Sequence, residues 1–354
     1  MHTEIYILKA YHGDCFLIKT FNLEGRAFNI LIDGGPSPTF NFAIRSALKE
    51  ISVLDLIILT HIDSDHIGGL ISFAENSRFT EIDTKKLWVN CANLLPVGPS
   101  GELITYDQGV LLEQWLIDRK VPKYKFSEMV TKDLGYICNE GLCFELLSPT
   151  PAILDAVTAN WPELSQDYRD KLSAIEITNN APSQIGKGAL TDLAAVPFRP
   201  AKTVDRDLFN AMSIAFVLRT PDLSLLLLAD SRTEVISASL TALGYNDSDN
   251  KLKVDYVKVS HHGSKNNTSS EVLDMIDCAN FIFSTNGGSG RAKHPDRETI
   301  ARILYHSKRD KTKPIKLYFN YPMSEITATS GLLFTATELK EANAEYFDDV
   351  CKLP

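Results

Sequence analysis

The run Leu54-Asp55-Leu56-Ile57-Ile58-Leu59, followed at once by Thr60-His61-Ile62-Asp63-Ser64-Asp65-His66-Ile67-Gly68-Gly69, constrains this chain more than any other stretch. An apolar run of that length reads as a buried strand, and α/β proteins place ligands at the C-terminal ends of such strands. Two histidines and two aspartates arrive together at that end. Imidazole suits zinc and carboxylate suits harder cations, and the spacing turns alternate residues toward one point and the adjacent Asp65-His66 pair toward another. One loop can therefore serve two metal ions.

With 354 residues, 44% apolar and 23% charged, the chain can bury a large core and has the composition of an ordinary globular protein. A net charge of −9 argues against tight, non-specific nucleic-acid binding over the whole surface. Residues 251 to 316 are the exception, with thirteen Lys or Arg against seven Asp or Glu, which admits an anionic substrate near them. Six scattered cysteines without a CxxC pair give neither a disulfide framework nor a zinc ribbon. Cys138 and Cys143 can face each other across a hairpin, and reduced thiols are expected there. The N-terminus opens directly into a strand pattern and no apolar run approaches membrane-spanning length, so a cytoplasmic protein with no membrane association is expected.

Glu4 to Lys9, Cys15 to Thr20 and Phe28 to Ile32 read as strands, the last ending in Asp33-Gly34-Gly35-Pro36. A helix from about Phe40 to Glu50 leads into the metal loop, and Gly68-Gly69 opens a further helix to about Glu75. A strand at Lys86 to Cys91, a helix over Gln108 to Arg119, a hairpin from Tyr136 to Ser148 and a helix from Pro151 to about Lys171 follow. Residues 175 to 208 lack a clear period and read as an irregular insertion or lid in a single domain spanning 1 to 354. Strands at Ser213 to Arg219 and Leu223 to Leu228 lead to Asp230, and a helix covers Thr233 to Leu243. Strands at Val254 to Val259 and Phe281 to Ser284 then lead to His261-His262-Gly263-Ser264 and to a glycine-rich loop before His294-Pro295. Several strands thus end in a residue able to bind a metal or polarise a substrate, which points to one composite site in an α/β fold.

Of eight histidines, His61, His66, His261, His262 and His294 lie directly after these strands or in loops fed by them. His2, His12 and His306 lack such company and read as surface or packing residues. One of His261 and His262 is a candidate metal ligand or a partner that orients one, and the other a proton donor or substrate contact. Ser264 and Lys265 are candidate anion contacts. Asp33 is better placed to fix the tautomer of a ligating imidazole than to bind metal. Asp14 has the weakest claim and reads as holding its turn.

The pattern HxDxDHxGG, preceded by Asp33-Gly34-Gly35 and followed by Leu-Leu-Ala-Asp230, resembles the metallo-β-lactamase superfamily signature, with Asp63 in place of the middle histidine. Asn210-Ala211-Met212-Ser213, Asp230, Val-Ser-His261-His262-Gly263-Ser264 and His294-Pro295 resemble, more narrowly, the soluble hydrolase domain of ComEC-type competence proteins. The resemblance implies a four-layer αββα sandwich and two divalent ions, zinc or manganese. It implies a first metal site of His61, Asp63 and Asp230 and a second of Asp65, His66, Asp230 and His294, with Asp230 bridging. Asn210 stands where many relatives carry a further histidine, which makes the first site oxygen-rich and weaker.

Such a centre implies hydrolysis by a metal-bound hydroxide, with Asp65 and Asp230 orienting it and His261 or His262 assisting the leaving group. The first expectation is a phosphodiesterase or nuclease acting on an anionic phosphodiester, possibly DNA. The alternatives are a hydrolase of a small lactone, thioester, amide or phosphoester, and a non-catalytic binding subunit whose metal site is impaired by Asn210. The sequence names no protein partner.

Overall fold

The computed structural model describes residues 2–90, 126–127, 129–160, 188–288 and 293–353. Its apolar runs assemble into two sheets. The six-stranded sheet holds β1 (Glu4–Ile7), β2 (Phe16–Phe21), β3 (Ala27–Ile32), β4 (Leu56–Leu59), β5 (Leu87–Val89) and β6 (Phe126–Ser127), side by side in chain order. Strands β1 to β3 form an antiparallel meander and β3 to β6 run parallel. The eight-stranded sheet holds β7 (Tyr136–Asn139), β8 (Leu142–Ser148), β9 (Ala215–Arg219), β10 (Ser224–Leu227), β11 (Tyr256–Lys258), β12 (Asn280–Phe283), β13 (Ile315–Phe319) and β14 (Ala344–Phe347). It is antiparallel from β7 to β10 and parallel from β10 to β14.

The uninterrupted apolar character of β4 follows from burial on both faces. Leu56 and Ile58 pack between the sheets, whereas Ile57 and Leu59 pack against helices on the outer side. Strand β10 repeats the division, with Leu225 and Leu227 between the sheets and Leu226 and Leu228 outside. At the centre of the inter-sheet layer Trp88 meets Phe144 edge-on at 4.9 Å, and Phe216 lies 5.5 Å from Phe144. Each such pair contributes about 0.5–1.5 kcal/mol beyond its area burial.

The helical segment from Phe40 to Ala47, α1 (Ser64–Glu75), α2 (Pro151–Ala159) and α3 (Leu208–Ala211) cover the outer face of the first sheet. The outer face of the second is covered by α4 (Thr233–Ala242), α5 (Ser270–Asp274), α6 (Arg297–Tyr305), α7 (Met323–Ser330) and α8 (Ala336–Glu341). The result is an αββα sandwich, as the resemblance implies.

Several local expectations change. The first helix stops at Ala47, short of Glu50, and begins as a π-helical turn. The proposed helix over 108 to 119 and the second half of the one over 151 to 171 lie outside the described residues. Thr150 caps the described half by accepting from the Ile153 amide, with Pro151 in the first turn. Cys138 and Cys143 do not remain reduced: they are cross-strand partners in the β7–β8 hairpin, 4.1 Å apart at Cα, and are joined by a disulfide. Of the segment 175 to 208, residues up to 187 lie outside the described residues. From 188 it is tied down, Arg297 donating to the Gly188 carbonyl at 3.0 Å and Leu190 sitting in the outer helical core. Among the described residues no helix is long and apolar enough to cross a membrane.

Candidate metal centre

Asp33 closes strand β3 in a left-handed conformation, φ 56°, and is buried. One carboxylate oxygen accepts the Thr60 amide at 2.8 Å, and the other accepts the Thr60 hydroxyl at 2.7 Å. His66 Nδ1 donates to that second oxygen at 2.8 Å, which turns Nε2 inward. Glycine is required where α1 presses against the end of β3. The Gly34 amide donates to the His66 carbonyl at 2.7 Å, and a Cβ on Gly69 would overlap the Gly34 carbonyl oxygen. His61 and Asp63 leave β4 before α1 begins, while Asp65 and His66 occupy the helix's first turn.

The second sheet supplies the opposite wall. Asp230 follows β10, and His261 and His262 follow β11. Ala229, His261 and His262 are left-handed, at φ 47°, 47° and 53°, and with Asp33 they make four of the nine non-glycine residues in that region among the described ones. Such conformations cost about 1–3 kcal/mol each and persist where the surroundings enforce them. Here the His261 amide donates to the Ala229 carbonyl at 2.8 Å, and His262 Nδ1 donates to the Ser284 carbonyl at 2.9 Å. His262 Nε2 is thereby left facing Asp65 at 3.4 Å and Asp230 at 3.6 Å.

Among the described residues four candidate triads have their donor atoms within 4.8 Å of one another, two of them being His61, His66 and Asp230, and Asp65, His66 and His262. Asp230 faces both, with Oδ1 3.5 Å from His66 Nε2 and Oδ2 3.6 Å from His262 Nε2. His61 Nε2, Asp63 Oδ1, His66 Nε2, Asp230 Oδ1, His262 Nε2 and Asn210 Oδ1 are buried without a hydrogen-bond partner. So many converging orphaned donors and acceptors would be costly in a finished core. Divalent cations would satisfy them, and the residues fit that role.

The electrostatics agree. Burial and the Asp65 carboxylate push the Asp63 carboxyl up to about 7. Burial opposes charge on His262, but Asp230 and Asp14 outweigh it and raise the imidazole to about 10. Burial and the neighbouring His66 lower His61 to about 3.

The other residues singled out by sequence take distinct places. Asn210 Nδ2 donates to Asp207 at 3.0 Å, and Asp207 is held in turn by Arg232 at 2.8 Å, so the amide is anchored with Oδ1 free. His261 is partly open to solvent, with Nε2 3.6 Å from Asp230. His294 stands farther out, its ring 5.3 Å from that of His261 and its Nδ1 3.2 Å from Asp296. The second described triad contains His262 where sequence comparison implies His294. Ser264 is buried in the turn, and Lys265 is ion-paired with Glu298 at 3.2 Å.

Of the basic residues of 251 to 316, Lys258 lies at the centre, paired with Asp14, and others lie elsewhere. Lys251, Lys308, Arg309 and Lys313 surround a cavity of about 200 Å³ at the opposite, N-terminal ends of β12 and β13. Sequence reasoning undervalued Asp14 and missed Lys258, both buried beneath the ligands. A lysine between Val257 and Val259 in an apolar strand was the available signal. His12 also lies within electrostatic reach of Asp65 and His262.

A family model described as the metallo-beta-lactamase superfamily matches residues 9–122. Among solved structures, the metallo-beta-lactamase fold protein YhfI from Bacillus subtilis aligns over 99% of this chain and 98% of its own, at 11% identity and a TM-score of 0.41. Tm1679, a metal-dependent hydrolase of the beta-lactamase superfamily, aligns over 100% and 99% at 10% identity and a TM-score of 0.42. A diphosphatase from the PhnP family aligns over 100% and 98% at 12% identity and a TM-score of 0.43. No curated protein matches the sequence. The matched segment carries β2 to β5 and the complete His61-to-Gly69 loop, and the likeness to the metallo-beta-lactamase superfamily rests on that segment.

Proposed function

We propose that this protein is a metal-dependent phosphodiester hydrolase holding two divalent ions, with manganese favoured at the oxygen-rich position and zinc the alternative. The observation that carries the reading is the convergence of unpartnered, buried imidazole and carboxylate atoms on two triads that share His66. His61, Asp63, Asn210 and Asp230 would hold one ion, and Asp65, His66, His262 and Asp230 the other. Three oxygen donors against one imidazole at the first position suit a hard cation and a phosphoryl ligand.

Divalent ions bound there supply Lewis acidity that activates water and stabilises negative charge on the attacked group. The chain's own residues do the positioning. Asp33 fixes the tautomer of His66, and the Ser284 carbonyl fixes that of His262. Asp65 and Asp230 present carboxylate oxygens that can orient the attacking water. His261 and His294, edge to face at the partly open rim, are placed to pass a proton to the leaving oxygen.

The test is turnover of bis(p-nitrophenyl) phosphate, single-stranded DNA and plasmid, beside a lactone and a thioester, with manganese or zinc added to chelator-stripped protein. Metal-restored cleavage of the phosphodiesters is expected. Metal-restored cleavage confined to the lactone or thioester would overturn the substrate class, and inactivity on all of them with low metal content would support a binding subunit.

A further inference from the structure

Strand β11 places Val257 and Val259 in the outer helical core, and Tyr256 between the sheets. By alternation Lys258 also faces inward, at the end of that layer directly under the ligands, and its side chain is fully buried. The ammonium makes an ion pair with Asp14, donates to the Ala229 carbonyl at 3.1 Å and lies 3.8 Å from Asp230 Oδ1. Asp14 comes from the other sheet, immediately before β2, and its second oxygen is 3.3 Å from His262 Nδ1. Asp14, Asp230 and His262 form a further set of ligand atoms within 4.8 Å of one another. Lys258 already sits against two of the three.

We propose that Lys258 is the built-in counter-charge of this centre, a positioning residue that occupies the place of an additional ion between Asp14 and Asp230 and offsets part of the negative charge that draws divalent ions in. The inference rests on the metal-dependent reading above. A buried ammonium is retained at a cost that an apolar side chain would avoid, so its charge needs a use. The balance supplies one: Asp14, Asp33, Asp63, Asp65 and Asp230 carry five negative charges when ionised, two divalent ions bring four positive charges, and Lys258 brings the fifth.

The two partners then act on metal uptake with opposite signs, because charges at this separation in a dry site interact strongly. Manganese titration by calorimetry of the chelator-stripped full chain reads this directly. Lys258→Met is expected to bind manganese at least about tenfold tighter than wild type, and Asp14→Asn at least about tenfold weaker, each step being 1.4 kcal/mol. Because Lys258→Met leaves Asp14 buried and unmatched, the double variant Lys258→Met/Asp14→Asn provides the same comparison without it. It should bind at least about tenfold tighter than Asp14→Asn alone. A purely structural clamp would instead weaken binding in both single variants and give no recovery in the double one, which would overturn the proposal. If wild type itself takes up no divalent metal, the metal-dependent reading falls and this inference with it; if wild type binds and the signs are not opposite, this inference alone falls.

Discussion

Asp33 and His66 are joined by a 2.8 Å hydrogen bond between the end of β3 and the first turn of α1. The same carboxylate also holds the amide and hydroxyl of Thr60, so its orientation is set before the histidine reaches it. The ligand loop therefore depends on a residue outside it to decide which imidazole nitrogen faces the centre. Partners of this kind commonly tune metal affinity as strongly as they fix geometry.

Replacing Asp33 by Asn keeps the shape and removes the charge. Divalent-metal affinity measured by titration calorimetry should fall roughly 10–100-fold, with the fold retained by circular dichroism. Unchanged affinity would show that packing alone orients His66.

Asn210 is anchored through its amide nitrogen, leaving one neutral oxygen for the centre. Asn210→His exchanges that oxygen for imidazole, and the ratio of zinc to manganese affinity should rise. Competition between the two ions, followed by calorimetry, measures it. An unchanged ratio would place Asn210 outside the ligand set.

Much of the centre was legible because His61, Asp63, Asp65, His66, Asp230, His261 and His262 each follow an apolar run, and apolar runs in parallel sheets deliver their last residues to a common edge. What the sequence left obscure depends on pairing between distant elements. Asp14 precedes a strand of one sheet and Lys258 lies within a strand of the other, so nothing local joins them. The inward turn of His262 likewise follows from the Ser284 carbonyl, a contact that no motif encodes. The Cys138–Cys143 disulfide was geometrically legible from the hairpin, whereas its oxidation was not.

Away from the centre, Asp274 accepts from His306 Nδ1, the Ser307 hydroxyl and the Lys308 amide, each at 2.8 Å. Burial raises its carboxyl, but His306, Lys308 and Ser307 outweigh that and bring it below the usual range. Its stabilisation is therefore complete above the unfolded value of about 3.9 and is lost as pH falls through the lowered folded value. Asp274→Ala should cost about 1–3 kcal/mol near neutral pH. Urea unfolding should show the gap from wild type narrowing as pH is lowered toward about 2. A gap independent of pH would mean that packing, not the ionised carboxylate, holds this corner.

Asp230 lies between the two candidate triads, with one oxygen toward His66 and the other toward His262. Metal content per chain, measured by inductively coupled plasma mass spectrometry after equilibration with manganese and removal of free ion, tests the two-ion centre most directly. Wild type should retain about two ions per chain and Asp230→Ala at most about one, with hydrolysis lost in step. Fewer than about one ion per wild-type chain, or the same content in both proteins, would contradict a shared two-metal site.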